Sequence, residues 1–107
     1  MPLKIACGQM EVIPGRPDLN TRKMLQMIEQ ARAEQADVIL FPEMAIPGYL
    51  IGDRWEQPAY LDDCVHYGEE VVAASRGITV VFGNVAVEKR RFNHDGHPRK
   101  YNAAFVA

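Results

Sequence analysis

One acidic residue stands where a carboxylate could carry out acid–base chemistry. Glu43 follows the apolar run 38–41, which is typical of a strand buried on both faces of a sheet. Pro42 holds the end of that strand extended, and Pro47-Gly48 suits the two central positions of a type II turn. Glu43 is therefore predicted to stand at the mouth of a buried strand, on backbone that is stiffened from both sides.

Such a position has two interpretations. Apolar neighbours disfavour the charged form of a carboxylate and suit it to act as a general base at neutral pH. Alternatively, Glu43 is a solvated residue at the start of a loop, or it caps the segment that follows. Residue types and spacing alone leave both interpretations open, because unusual carboxylates mark functional sites only statistically.

Three segments resemble the nitrilase, or carbon–nitrogen hydrolase, superfamily. The segment Phe41-Pro42-Glu43-Met44-Ala45-Ile46-Pro47-Gly48-Tyr49 resembles the (L/F)-P-E-x-x-x-x-G-Y motif around that family's catalytic glutamate. Residues 4–10 resemble its first strand, and Tyr101-Asn102-Ala103-Ala104 resembles its "YN(A/S)A" strand. The nearest resemblance is to the glutaminase domain of glutamine-dependent NAD synthetases, in which the motif likewise runs into an acidic and aromatic stretch such as residues 51–55.

This resemblance implies a fold and a domain organisation. We expect an α/β chain that forms the N-terminal part, in the order β-α-β-α-β-β, of a nitrilase-like four-layer α-β-β-α sandwich with mixed sheets. Residues 1–107 are expected to be one incomplete domain of this kind.

The resemblance also implies a chemistry in which a cysteine nucleophile, a glutamate and a lysine hydrolyse an amide. Of these three groups the sequence supplies only Glu43, because Cys7, Cys64 and Lys100 do not occupy the family's nucleophile or lysine positions. Tyr49 is expected to line the substrate pocket.

The implied substrate is glutamine, and the implied partner is a synthetase (ligase) domain, in cis or in trans. The ammonia would pass to that domain, which would use ATP and Mg, whereas no cofactor and no metal are expected in the hydrolase domain. Two alternatives stay open. One is a stand-alone amidase that acts on another small amide, and the other is a non-catalytic fragment that oligomerises.

Composition is that of an ordinary globular domain. Of the 107 residues, 48% are apolar and 24% charged, with a formal net charge of −2, so nucleic acid and anionic membranes are not indicated as partners. No apolar run approaches the roughly 20 residues that span a bilayer, and the N-terminus does not read as a signal peptide. Cys7 and Cys64 lack CxxC spacing, which favours a reduced, cytoplasmic setting.

The first half of the chain predicts a βαβ unit. Residues 3–10 are expected to form a central strand in which Cys7 is buried. The next helix is expected to be capped by Asp18 or Asn20, and its apolar stripe consists of Met24, Met27, Ile28 and Ala31.

The second half predicts an irregular segment at 51–60 and a helix at 61–75 with Asp62 and Asp63 in its first turn. Its buried face is predicted to consist of Leu61, Cys64, Val65, Gly68, Val71 and Val72.

Strands are predicted at 78–87 and 101–107, joined by a basic loop with an Asp95-Gly96 turn. His94, Asp95 and His97 could be metal ligands there, but a solvated hairpin tip is preferred. The apolar last strand would present an unpaired edge, so we expect a homo-oligomer.

The resemblance generates a first prediction. Because the nucleophile and the lysine are not matched, the 107-residue chain by itself should release no ammonia from glutamine. A coupled ammonia assay on the purified chain tests this, with a no-enzyme blank as its control. Release above the blank would contradict it.

Overall fold

The computed structural model describes residues 2–92, 96 and 98–107, without the side chains of Lys89 and Arg91. The predicted order β-α-β-α-β-β is observed, with one short 3-10 helix added. The elements are β1 (Ile5–Cys7), α1 (Pro17–Ala33), β2 (Val38–Leu40), the 3-10 helix (Gly52–Glu56), α2 (Pro58–Ala74), β3 (Thr79–Phe92) and β4 (Pro98–Val106).

The strands form one mixed sheet in the order β1-β2-β3-β4. The β1–β2 and β2–β3 pairs are parallel, and β3 pairs with β4 in the antiparallel direction. Both parallel crossovers step in the same direction and are expected to share the right-handed sense. This topology puts α1 and α2 on one face of the sheet, where the two helices contact each other.

The core lies between that face and the helices. Ile39, Val80 and Phe82 are buried on the sheet, and Phe105 of β4 stacks on Phe82 with ring centroids 5.3 Å apart. The helices contribute a further group of fully buried residues. These are Met24, Ile28, Cys64 and Val71.

The opposite face of the sheet is largely open, which corrects the prediction that run 38–41 is buried on both faces. The strand register aligns Cys7, Leu40, Val81 and Val106 in one row across the sheet. Leu40 is 39% exposed and Val106 is 73% exposed. The reason is that both helices cover the same side of the sheet.

The start of the chain also differs from the prediction. The first strand is limited to residues 5–7 and lies at the edge of the sheet, so Cys7 is exposed rather than buried. Neither Asp18 nor Asn20 caps α1. The helix begins with Pro17, which has no N–H to satisfy. The Asp18 carboxylate accepts a hydrogen bond from the Arg16 guanidinium instead, and this bond lowers the pKa of Asp18 to about 2.

The second helix begins earlier than predicted, at Pro58, so Asp62 and Asp63 lie beyond its first turn. The predicted irregular segment 51–60 contains the 3-10 helix, whose Trp55 packs against the edge of the core. None of the helices among the described residues combines the length and the apolar content needed to cross a membrane.

The buried face of α2 is a narrow seam. Its members lie three or four residues apart and are Leu61, Cys64, Gly68 and Val71, as predicted. Val65 and Val72 were predicted to be buried with them, but they are 37% and 49% exposed. Each follows a seam residue directly, and the rotation of about 100° per residue turns it to the border of the seam.

Both final strands are longer than predicted, and their pairing continues to Phe92 and Pro98. The predicted turn residue Asp95 and the possible metal ligands His94 and His97 lie outside the described residues.

Two neighbouring valines on α2 provide a matched test of this packing. Val71 is fully buried and Val72 is half exposed. The Val71→Ala variant should lower the free energy of unfolding by about 2 kcal/mol, because it leaves a cavity in the core. Val72→Ala should change it by less than about 0.5 kcal/mol. Urea unfolding of both variants measures the difference, and equal losses would contradict this packing.

Candidate active site

Glu43 begins a turn, residues 43–47, that lies directly on β3. The Phe41 N–H donates to the Val81 carbonyl at 2.8 Å, and the Ile46 N–H donates to the Gly83 carbonyl at 3.3 Å. A Cβ at Gly83 would lie 2.3 Å from the Met44 nitrogen, so the turn can approach β3 only because residue 83 has no side chain. Glu43 therefore stands just past the end of an internal strand, where the sequence predicted it.

The backbone of this turn adopts unusual conformations. Gly48 has a φ of 89°, as its predicted role in a type II turn requires. Met44 has a φ of 52°, which the sequence did not indicate and which costs a non-glycine residue about 1 kcal/mol or more. Burial of the Met44 side chain and the 2.8 Å bond from the Gly48 N–H to the Met44 carbonyl offset that cost.

A buried asparagine ties the turn to the loop between β1 and α1. The Asn20 Oδ1 accepts the Ile13 N–H at 2.8 Å, and its Nδ2 donates to the Ile13 and Ile46 carbonyls, each at 2.9 Å. Asn20 is 1% exposed and its bond to Ile46 is buried, so the Ile46 carbonyl has little access to water as an alternative partner. The residue expected to cap α1 instead fixes the position of the turn.

The turn is also held at its Pro47 carbonyl, by hydrogen bonds from α2 and from the loop before α1. The Tyr60 hydroxyl donates to the Pro47 carbonyl at 2.7 Å, and the Gly15 N–H donates to the same carbonyl at 3.1 Å. Burial raises the pKa of Tyr60, so its hydroxyl keeps its proton and remains a donor across the physiological range. The turn is thus held from β3, from α2 and from the loop before α1.

Among the described residues, two polar side chains lie beside the Glu43 carboxylate. The Asn102 Nδ2 on β4 donates to Oε1, and the Tyr49 hydroxyl lies 3.5 Å from Oε2, at the outer limit of a hydrogen bond. Desolvation raises the pKa of Tyr49, and the nearby Glu43 carboxylate adds to that shift, so the tyrosine remains a donor. Glu43 itself is exposed among polar partners, rather than enclosed by the apolar neighbours that the sequence suggested.

An open cleft of about 350 Å³ lies beside the Glu43 carboxylate, on the sheet face that the helices leave uncovered. Glu43 and Asn102 line it together with the end of the β2 segment and with residues of β3 and β4, including Gly83 and Ala104. A carboxylate with one oxygen engaged and the other accessible can accept a proton from a group bound in the cleft and return it. The space is suited to a small molecule.

The structure brings the predicted Glu43 and Tyr49 together and adds Asn102, which sequence reasoning had treated only as part of the "YN" motif. The "YN" motif draws attention to Asn102, but the sequence of a strand does not show which side chain this asparagine contacts.

The two cysteines and Lys100 lie apart from this cleft. Cys64 is buried under α2, where desolvation raises its pKa to about 12, and Cys7 is exposed on β1. The Lys100 ammonium pairs with Glu56 at 2.9 Å, which links β4 to the 3-10 helix. Within the described part of the chain, no three His, Cys, Asp or Glu side chains form a group that could hold a metal ion.

Comparisons with known proteins match this architecture. The family model described as "Carbon-nitrogen hydrolase" matches residues 4–107. A glutamine-dependent NAD(+) synthetase of Xylella fastidiosa is 39% identical over 82 residues, which are 76% of this chain and 15% of that protein.

Two solved structures show the same fold. A glutamine-dependent NAD(+) synthetase from Cytophaga hutchinsonii superposes with a TM-score of 0.82 at 21% identity, covering 97% of this chain and 17% of that one. An amidase from Nesterenkonia sp. superposes with a TM-score of 0.69 at 18% identity, covering 94% and 42%. The predicted nitrilase-like fold is confirmed. The chain spans less than a fifth of the length of either synthetase.

Two adjacent buried residues of α1 provide a test of the hydrogen bonds by which Asn20 holds the turn. Asn20→Ala should lower the free energy of unfolding by about 3 kcal/mol, because it leaves the buried Ile46 carbonyl and the partly buried backbone groups of Ile13 unpaired. Thr21 is equally buried, but its hydroxyl has no hydrogen-bond partner among the described residues. Thr21→Val should therefore be neutral within about 0.5 kcal/mol, or stabilising. Urea unfolding compares the two variants, and a larger loss of unfolding free energy in Thr21→Val would contradict this role of Asn20.

Proposed function

Because this chain belongs to the carbon–nitrogen hydrolase family, we propose that it is part of a glutamine amidohydrolase domain. The ammonia that this domain releases would serve ATP-dependent synthesis of NAD from deamido-NAD. The observation that carries the proposal is the placement of Glu43, at the end of β2, with one carboxylate oxygen bound by Asn102 and the other facing Tyr49. Residues 1–107 would be one part of that domain.

In the proposed reaction Glu43 is the general base. It takes the proton of a cysteine thiol, the sulfur attacks the amide carbon, and a lysine stabilises the oxyanion. The C–N bond then breaks as Glu43 passes the proton to the departing nitrogen, which leaves as ammonia. Water hydrolyses the thioester, with Glu43 taking its proton and returning it to the sulfur, and glutamate is released.

The open sheet face supports a site that is completed by other groups. The cleft lies on the side of the sheet that α1 and α2 do not cover, so a thiol and an ammonium group have access to Glu43 from that side. Among the residues described, neither cysteine nor Lys100 is in that position. We propose that both groups come from other parts of the domain.

The likeness to synthetases at 39% identity favours glutamine as the amide and a synthetase module as the partner. In that module ATP and Mg would activate deamido-NAD, and no residue of this cleft is assigned to them. The second candidate is a stand-alone amidase for another small amide, which the shared fold of the Nesterenkonia enzyme also accommodates. Comparison of glutamine with simple aliphatic amides as substrates distinguishes the two.

A non-catalytic, oligomerising role is a third candidate, and the exposed row across the sheet favours it. Leu40 and Val106 present apolar surface beside β4, which is an edge strand. Size-exclusion chromatography of the chain over a range of concentrations, together with the activity assay, tests this candidate. Association without any hydrolysis in the complete protein would favour it over the enzymatic proposals.

The role of Glu43 is tested in the complete reading frame that contains these residues. Glu43→Gln keeps the shape of the side chain but cannot carry the proton, so kcat for glutamine should fall by at least about 100-fold. Glu29→Gln, which changes an exposed carboxylate paired with Arg32 on α1, is the matched control and should keep the rate. An undiminished rate in Glu43→Gln would remove the base from the proposal.

A further inference from the structure

Asn102 is the one side chain of β4 that the structure places on the Glu43 carboxylate. The register pairs Gly83 with Ala104 and Val85 with Asn102. Asn102 therefore lies two residues from Ala104, on the same face of the sheet as the turn that crosses Gly83. The missing side chain at Gly83 brings that turn close enough for Glu43 to reach β4.

From this geometry we infer that Asn102 is a positioning residue, which holds Oε1 of Glu43 so that Oε2 is the oxygen that takes and returns the proton. The inference rests on the proposed hydrolase function. It adds a residue to the site and assigns a different task to each carboxylate oxygen.

The chemistry of an amide suits this task. The Asn102 Nδ2 is a donor that does not titrate, so it cannot compete with Glu43 for the proton that is transferred. A carboxylate rotates easily about its last side-chain bond, and a donor on one oxygen restricts that rotation. The second oxygen then stays directed toward Tyr49 and the cleft.

Tyr49 alone cannot provide the same restraint. Its hydroxyl is 3.5 Å from Oε2 and its side chain is 47% exposed in the segment after the turn. Asn102 lies within β4, which pairs with β3 both before and after this residue, from the pair Glu88–Arg99 to the pair Val81–Val106. A side chain on such a rigid element positions its neighbour more precisely than one on a loop.

The kinetic test uses two variants in the complete reading frame. Asn102→Ala removes the donor, and Asn102→Asp keeps the shape but puts a second carboxylate beside Glu43. Both should lower kcat for glutamine by about 100-fold, since misplacement of a catalytic group by about 1 Å has an effect of that size. KM should change by less than about 2-fold, because binding of the substrate does not depend on the orientation of the base. Tyr101→Phe, on the same strand but on its other face, is the control and should match the wild type.

The contact itself is tested without catalysis. In the 107-residue chain labelled with ¹⁵N-asparagine, the signal lost in Asn102→Asp identifies the Asn102 side-chain amide. That signal should shift in Glu43→Gln and stay in place in Glu29→Gln. If the Asn102 amide signal keeps its position in Glu43→Gln, the two side chains are not in contact and the inference is overturned.

The kinetic outcomes separate this inference from the proposal beneath it. If Glu43→Gln keeps its rate, both the proposed base and its positioning residue are wrong. If Glu43→Gln is inactive while both Asn102 variants keep the wild-type kcat, the proposed function stands and the inference alone is wrong. A loss that falls on KM with kcat unchanged also overturns it, because it would assign Asn102 to substrate binding.

Discussion

The close approach of the 43–47 turn to Gly83 is the contact on which the candidate site depends. A Cβ at residue 83 would overlap the Met44 nitrogen and the Glu43 carbonyl carbon, so any larger residue would push the turn off the strand. With the turn in place, Glu43 crosses the width of β3 and reaches Asn102 on β4. Because Gly83 has no side chain, a residue just past the end of β2 contacts a strand that begins more than fifty residues later in the sequence.

The turn is held by polar contacts rather than by apolar packing alone. Asn20 and the Tyr60 hydroxyl satisfy carbonyls that burial removes from water, and each connects the turn to a different element. Buried donors and acceptors without partners are costly, so such contacts favour one arrangement of the backbone strongly. This rigidity would suit the role of base that we propose for Glu43, and it explains how the left-handed conformation of Met44 persists.

The sheet has two unlike faces. One carries α1, α2 and the core, and the other exposes Leu40 and Val106 next to the cleft. In an α-β-β-α sandwich a second sheet would cover this open face, and the same layer would border Glu43. Packing and catalysis would then depend on the same surface, because the groups that complete the site would approach with the layer that buries the exposed apolar row.

The local pattern of the chain was sufficient for the order of the elements, for four of the six residues predicted on the buried face of α2 and for the location of Glu43 after an apolar strand. These features follow from periodicity, from Pro42 and from Gly48, which act over a few residues. The motifs that carried the resemblance to the family pointed to the same glutamate. The helix starts were less accurate, since Pro17 begins α1 without the capping residue that was expected and Pro58 begins α2 three residues before the predicted start at residue 61.

What only the tertiary structure decided was which residues meet. The exposure of Cys7 and Leu40 depends on both crossovers placing their helices on one face, which no window of sequence shows. The bridging role of Asn20 and the contact between Asn102 and Glu43 require strand register and the gap at Gly83. Sequence periodicity reports which side of its own element a residue occupies, whereas its partner is set by how separate elements pack together, and that is why the carboxylate could be located from the sequence while its neighbours could not.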